Sequence, residues 1–112
     1  AKFPRYDYDD MVRSQHAMLT DGMKVNRLRL ILGTSMGCMQ SFVWGTTYPG
    51  FADALMPHAC LPTAIAGRNR MMRYIAIQAI RQDPEWRNGD YVQQPPQGLR
   101  TALEVLLVMG SS

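Results

Sequence analysis

No apolar run in the sequence approaches the roughly 18 residues that a membrane-spanning helix needs. The longest, around Leu30–Leu32 and Val105–Met109, suit a buried strand and a core helix. Nor is there a block of like charge: ten Arg and two Lys are scattered among nine acidic residues, for a net charge of +3. Neither a membrane nor a nucleic acid is therefore an expected partner. The only two cysteines, Cys38 and Cys60, fit no metal spacing and no disulfide framework, so no metal site is expected. They are expected as reduced thiols packed like small hydrophobes, which fits a cytoplasmic protein. Residues 1–20 lack the apolar segment of a secretory signal. Phosphate loops are missing as well: Cys38, not Lys, follows Gly37, and the G-x-G-x-x-G pattern does not occur.

What is present is an ordinary globular composition, 46% hydrophobic, with nine methionines that suggest an apolar, adaptable interior. Asp9 or Asp10 can cap a helix running to about Thr20, ended by Asp21-Gly22. Leu28–Leu32 reads as a short strand buried on both faces and broken by Gly33. A helical pattern resumes at Met36 and runs to Thr47, and Tyr48-Pro49-Gly50 closes it. Ala54–Met56 reads as a second strand, with Pro57 at its end or on an irregularity because proline cannot donate to a ladder. Ala64–Gln82 is strongly helical, residues 83–86 make a turn or a fresh helix start, residues 89–98 a loop, and Leu99–Met109 a last helix.

Alternation of strand and helix predicts an α/β fold with parallel strands. Two strands cannot satisfy both faces and both edges of such a sheet, so the chain is expected to be part of a larger fold. Residues 1–63 are then a piece of an α/β core, and residues 64–112 a helical segment.

The chemistry sits in Gly33-Thr34-Ser35-Met36-Gly37, a Gly-x-Ser-x-Gly pattern. Alone it is weak. Its context raises it, because a strand runs into it and a helix leaves it without a spacer, the arrangement of a nucleophile elbow. Ser35 is the candidate nucleophile, held in a strained turn at a helix N-terminus that favours negative charge. The backbone N–H of Met36 is a candidate oxyanion donor, which acts through the main chain and so tolerates Met. Gly33 and Gly37 are expected to flank the turn because a β-carbon at either would collide with a neighbouring element. The bland alternative is a tight strand–turn–helix junction with Ser35 as a plain cap. A serine nucleophile needs a His base and a carboxylate. Asp53 and His58 follow in the right order but too soon after the elbow helix, and His16 lies upstream, so all three are expected to be structural. Arg68-Asn69-Arg70 with Arg73 could clamp a phosphate or carboxylate, but a solvated helix face is the commoner reason for such a cluster. Trp86, Tyr91 and Pro95-Pro96 could wall a pocket, but a packed loop explains them equally well.

Beyond the elbow, the sequence resembles the homoserine O-acetyltransferase-like family of the α/β-hydrolase superfamily. The resemblance lies in Asp10–Gln15, in Leu30–Gln40 with its Gly-x-Ser-Met-Gly-x-Met-Gln form, in Trp44-Gly45 through Tyr48-Pro49, in Asp53–Pro57 and in Ala66–Arg70. It implies that Ser35 accepts the acyl group and that the helices after Thr63 begin a lid over the active site. It implies further that the acid and His come from the remainder of the enzyme, and that acetyl-coenzyme A is a substrate rather than a bound cofactor. Partners would be a small acyl donor and an alcohol or water acceptor, and a homodimer is compatible with this. The sequence departs from the homoserine-specific members at Thr34 and Cys38, where they usually carry Gly. Their substrate-binding Arg would fall at Leu103 or Glu104, with Arg100 about a turn away. An ester hydrolase of the same family is therefore an alternative to the transferase, and a non-catalytic structural module is a second.

Overall fold

The computed structural model describes residues 3–111. They fall into two compact units, Pro4–Thr63 and Phe3 together with residues 64–111.

In the first unit, helix α1 (Tyr8–Ala17) begins at Asp7, not at Asp9 or Asp10. The Asp7 carboxylate accepts from the amides of Asp9 and Asp10 at 3.1 and 3.2 Å, and the Asp10 carboxylate accepts from the Asp7 amide at 3.2 Å. Reciprocal bonds of this kind satisfy amides that no helical carbonyl can reach. A π-helical turn, Met18–Gly22, extends α1.

Strand β1 (Ile31–Thr34) starts later than its apolar run suggests and passes through Gly33. Leu28 makes only an isolated parallel bridge to Ala52. Helix α2 (Met36–Thr47) leaves β1 after one intervening residue, and β2 (Leu55–His58) returns parallel to β1. Pro57 lies inside β2, opposite Gly33, rather than at its end. The carbonyls of Ala54 and His58 accept from the amides of Ile31 and Ser35, so even-numbered positions of β2 turn their polar groups toward β1. Pro57 turns its missing donor to the opposite edge, where a proline is tolerated. Leu32, Leu55 and Met56 remain exposed, and no third strand covers either edge among the described residues.

The core of this unit is the α1–α2 seam. Val12 of α1 and Trp44 of α2 are buried, as are Cys38 and Ser41 elsewhere on α2. Trp44 Nε1 donates to Gln15 Oε1 at 3.0 Å, and Gln15 Nε2 donates to Gln40 Oε1 at 3.0 Å, so the buried indole has the partner it needs. His16 stacks on Tyr48 with ring centroids 3.9 Å apart and lies against Trp44 and Phe51.

The cysteines depart from expectation. Cys38 and Cys60 form a disulfide with Cα atoms 5.9 Å apart, well inside the span a disulfide bridges, and neither is a free thiol. Spacing along the chain hid this, because α2 and β2 fold back on each other and bring together cysteines 22 positions apart. The inference from reduced thiols to a cytoplasmic setting loses its premise. No helix among the described residues is long and apolar enough to cross a membrane.

The second unit is a pair of helices, α3 (Gly67–Gln82) and α4 (Pro96–Gly110), joined by a 3₁₀ segment, Pro84–Gly89, and a loop. Small residues let the helices meet: Ala76, Gly98 and Ala102 are buried. A β-carbon on Gly98 would stand 2.5 Å from the Ala79 carbonyl oxygen. Helix α4 begins three residues earlier than the apolar pattern indicates, because its cap comes from elsewhere in the chain. Asp83 Oδ2 accepts from the amides of Gln97 and Gly98 at 3.0 and 2.8 Å, while Oδ1 accepts from Glu85 at 3.0 Å. One buried carboxylate thus caps the 3₁₀ segment and α4 together. The rings of Trp86 and Tyr91 stack 5.4 Å apart in the intervening loop.

The amides of Gly98, Glu85 and Gln97 hold the Asp83 carboxyl below the usual carboxylate range, against the opposing effect of its burial. A carboxyl whose folded pKa is depressed stabilises the fold above its unfolded pKa and loses that contribution as the pH falls through the folded value. The urea midpoint of Asp83→Asn should therefore lie below that of the parent near neutral pH. The two should converge in acid below the ordinary carboxylate range.

Candidate active site

The turn between β1 and α2 places Ser35 at φ 52° and ψ −112°, a conformation that side-chain-bearing residues rarely adopt. Two constraints keep it there. On one side the Ser35 amide donates to the His58 carbonyl at 2.9 Å, continuing the β1–β2 ladder one step past the strand. On the other, the first turn of α2 folds back so closely that a β-carbon on Gly33 would lie 2.1 Å from the Gly37 oxygen and 2.6 Å from Ser41 Oγ. Gly33 is buried and must be glycine. Gly37 differs from expectation: a β-carbon there meets nothing within 4 Å. The close approach is made by the Gly37 main chain against the Cα of Gly33, so only one member of the pair needs to lack a side chain.

Ser41 was not singled out by the sequence, although it belongs to this turn. Its hydroxyl donates to the Gly37 carbonyl at 2.9 Å from a buried position one helical turn on. A serine four residues after a glycine is too common a pattern to mark this role in the sequence.

Ser35 and Met36 are both exposed, at the C-terminal end of β1 and the N-terminus of α2. The first helical bond of α2 is that of the Met39 amide to the Ser35 carbonyl, at 3.3 Å. The amides of Met36, Gly37 and Cys38 precede it and stand in the positions that a helix leaves without an internal partner. Such amides, with the helix dipole behind them, can hold a developing oxyanion.

The other titratable candidates separate cleanly. Asp53 Oδ1 accepts from Arg27 Nε at 2.7 Å and also from Arg27 Nη2, and Arg29 Nη1 lies 3.5 Å from Oδ2. This ion cluster sits before β2, at the opposite end of the parallel strands from Ser35. His58 lies at the same end as Ser35, paired in register with Thr34, and its backbone carbonyl is what the elbow uses. His16 is taken up in the aromatic cluster of the α1–α2 seam. Arg68 and Arg70 are exposed near the start of α3, and Arg73 Nε donates to Asn69 Oδ1 at 2.7 Å. Among the described residues, no group of three His, Cys, Asp or Glu side chains could hold a metal ion.

The steric account of the elbow predicts the effect of Gly33→Ala. Overpacking against main chain rather than a movable side chain should cost about 3 kcal/mol, the upper part of the usual range. Gly37→Ala, with open space around the new methyl, should cost far less. Chemical denaturation of the two variants would compare them directly.

No family model matches the chain. The chain is, however, 42% identical over 103 residues to a homoserine O-acetyltransferase of Methanohalophilus mahii, an alignment covering 89% of this chain and 21% of that protein. Its backbone superposes on the crystal structure of homoserine O-acetyltransferase from Bacillus anthracis with a TM-score of 0.84 at 30% identity, covering 95% of this chain and 28% of that one. The acetyl esterase MekB matches with a TM-score of 0.82 at 28% identity, over 96% of this chain and 32% of that one. The chain thus spans about a fifth to a third of the proteins it matches. Its two-stranded parallel sheet and flanking helices are a piece of the α/β-hydrolase fold. The chain belongs to the homoserine O-acetyltransferase-like family of the α/β-hydrolase superfamily, of which it carries one segment.

Proposed function

We propose that Ser35 is the nucleophile of a two-step acyl transfer carried out by the full-length enzyme. The observation that carries this reading is the positive φ of an exposed serine between a parallel strand and a helix N-terminus. A plain helix cap needs no such strain and takes ordinary extended backbone, as Asp7 does at the start of α1. A nucleophile needs the strain, because it lifts the hydroxyl clear of the strand end.

In the first step Ser35 Oγ attacks the carbonyl carbon of an ester or thioester, acetyl-coenzyme A in the transferase case. A histidine oriented by a carboxylate, both from the remainder of the enzyme, takes the hydroxyl proton and passes it to the leaving group. The Met36 amide and a second donor outside this chain hold the oxyanion. In the second step an alcohol or water attacks the acyl-enzyme and regenerates Ser35.

A specific observation supports the hydrolase as second reading. Thr34 and Cys38 stand where the homoserine-specific members usually carry Gly, and Leu103 or Glu104 stands where their substrate-binding Arg is expected. Arg100, a turn away on α4, is engaged with Glu104 at 3.1 Å. The full-length enzyme assayed with acetyl-coenzyme A plus homoserine, and separately with a simple acetyl ester in water, would decide between the two. Brisk ester hydrolysis without acyl transfer to any alcohol would sink the transferase.

Ser35→Ala should lower kcat at least about a thousandfold and abolish labelling by a fluorophosphonate, while leaving the fold intact. Unchanged activity in that variant would instead support a non-catalytic module. Ser35→Gly should be equally inactive yet more stable than the parent by about 1 kcal/mol, since glycine relieves the positive φ. Thermal or urea melts of the two variants would separate this strain from the loss of chemistry.

A further inference from the structure

We propose that the Cys38–Cys60 disulfide is a redox switch on the elbow, with reduction by a dithiol slowing acylation of Ser35; this rests on Ser35 being the nucleophile.

The bond lies where it can act. Cys38 is the third residue of α2 and is buried, and Cys60 lies two residues beyond β2 and is half-buried. Together with the hydrogen bond from the Ser35 amide to the His58 carbonyl, the disulfide closes a ring. One side of the ring is Ser35, Met36, Gly37 and Cys38; the other is His58, Ala59 and Cys60. The reacting hydroxyl and the candidate oxyanion amide of Met36 are both carried on it. Two of its residues, Ser35 and Ala59, are non-glycine residues at positive φ, 52° and 58°. Such conformations persist only where the surroundings over-determine them. Opening the disulfide removes the covalent tie and leaves the Ser35–His58 hydrogen bond to fix the turn itself. Ala59 is then free to return to ordinary backbone, drawing the His58 carbonyl away from the Ser35 amide.

The chemistry of opening also fits. A dithiol donor attacks as a thiolate at the half-buried Cys60 sulfur, forming a mixed disulfide and releasing the Cys38 sulfur as the leaving group. Cys38 leaves into the first turn of α2, where unpaired amides favour negative charge and hence departure. The second donor thiol then displaces Cys60. The donor ends as a disulfide, its two protons and two electrons passing to the cysteine pair.

The test uses the full-length protein. Alkylation with iodoacetamide, followed by peptide mass analysis, should leave Cys38 and Cys60 unmodified until dithiothreitol is added. The rate of Ser35 labelling by a fluorophosphonate is then followed in the oxidised, reduced and re-oxidised protein, with circular dichroism confirming a folded chain in each. Reduction should lower that rate by between about tenfold and a hundredfold, the scale on which small misplacements act, and re-oxidation should restore it. Cys60→Ser should label at the reduced rate and ignore dithiothreitol. Alkylation of both cysteines without reductant overturns the proposal. So does an equal labelling rate in the two redox states, even if the melting temperature falls, because the bond is then a structural brace only. Absence of labelling in every state overturns the nucleophile reading itself, and the switch with it.

Discussion

Gly33 and the first turn of α2 share a space that holds no β-carbon: one placed on Gly33 would stand 2.1 Å from the Gly37 oxygen. Because the strand and the helix can approach this closely, one residue, Ser35, is enough to reverse the chain between them. A one-residue reversal forces Ser35 to positive φ and delivers its hydroxyl to solvent at the strand end. The Ser35 amide is still aligned with β2, so the ladder bond to His58 fixes the turn from the opposite side. Cys38, buried on α2, is tied by its disulfide to Cys60 just beyond β2, and the buried Ser41 hydroxyl bonds the Gly37 carbonyl within α2. Packing, strain and exposure at this point are one constraint seen from three sides.

The strand–turn–helix junction at Ser35 was legible in the sequence because its signal is local. Strand, glycine, serine and helix follow without a gap, and α2 runs from Met36 to Thr47 as its pattern indicates. What could not be read required two distant segments to be placed together. The disulfide is one case, since the cysteines are brought together by the return of β2 alongside β1. The start of α4 is another. Its apolar periodicity begins at Leu99, but the helix begins at Pro96 because the amides of Gln97 and Gly98 find Asp83, fourteen and fifteen positions earlier. The shift of β1 from Leu28–Leu32 to Ile31–Thr34 has the same origin. Strand limits are set by where the partner runs, and β2 runs opposite Gly33 and Thr34.

The two parallel strands also divide the polar residues by function. Near their N-terminal ends Arg27 and Arg29 converge on Asp53. At their C-terminal ends the backbone is strained, Ser35 and His58 are exposed, and amides lie open at the helix start. That polarity is what is expected of parallel α/β sheets, whose ligands bind outside the carboxyl ends of the strands.

Asp83 has a consequence for how this part of the family can vary. Its two carboxylate oxygens fasten the beginning of the 3₁₀ segment and the beginning of α4 to a single point. The chain between Pro84 and Pro95 therefore leaves from and returns to the same side chain, like a loop of thread tied at one knot. The pairing of α3 with α4 is set at the knot and at Gly98, not by the length of the thread. Insertions and deletions in that segment can reshape one end of the helical pair while the helices keep their register.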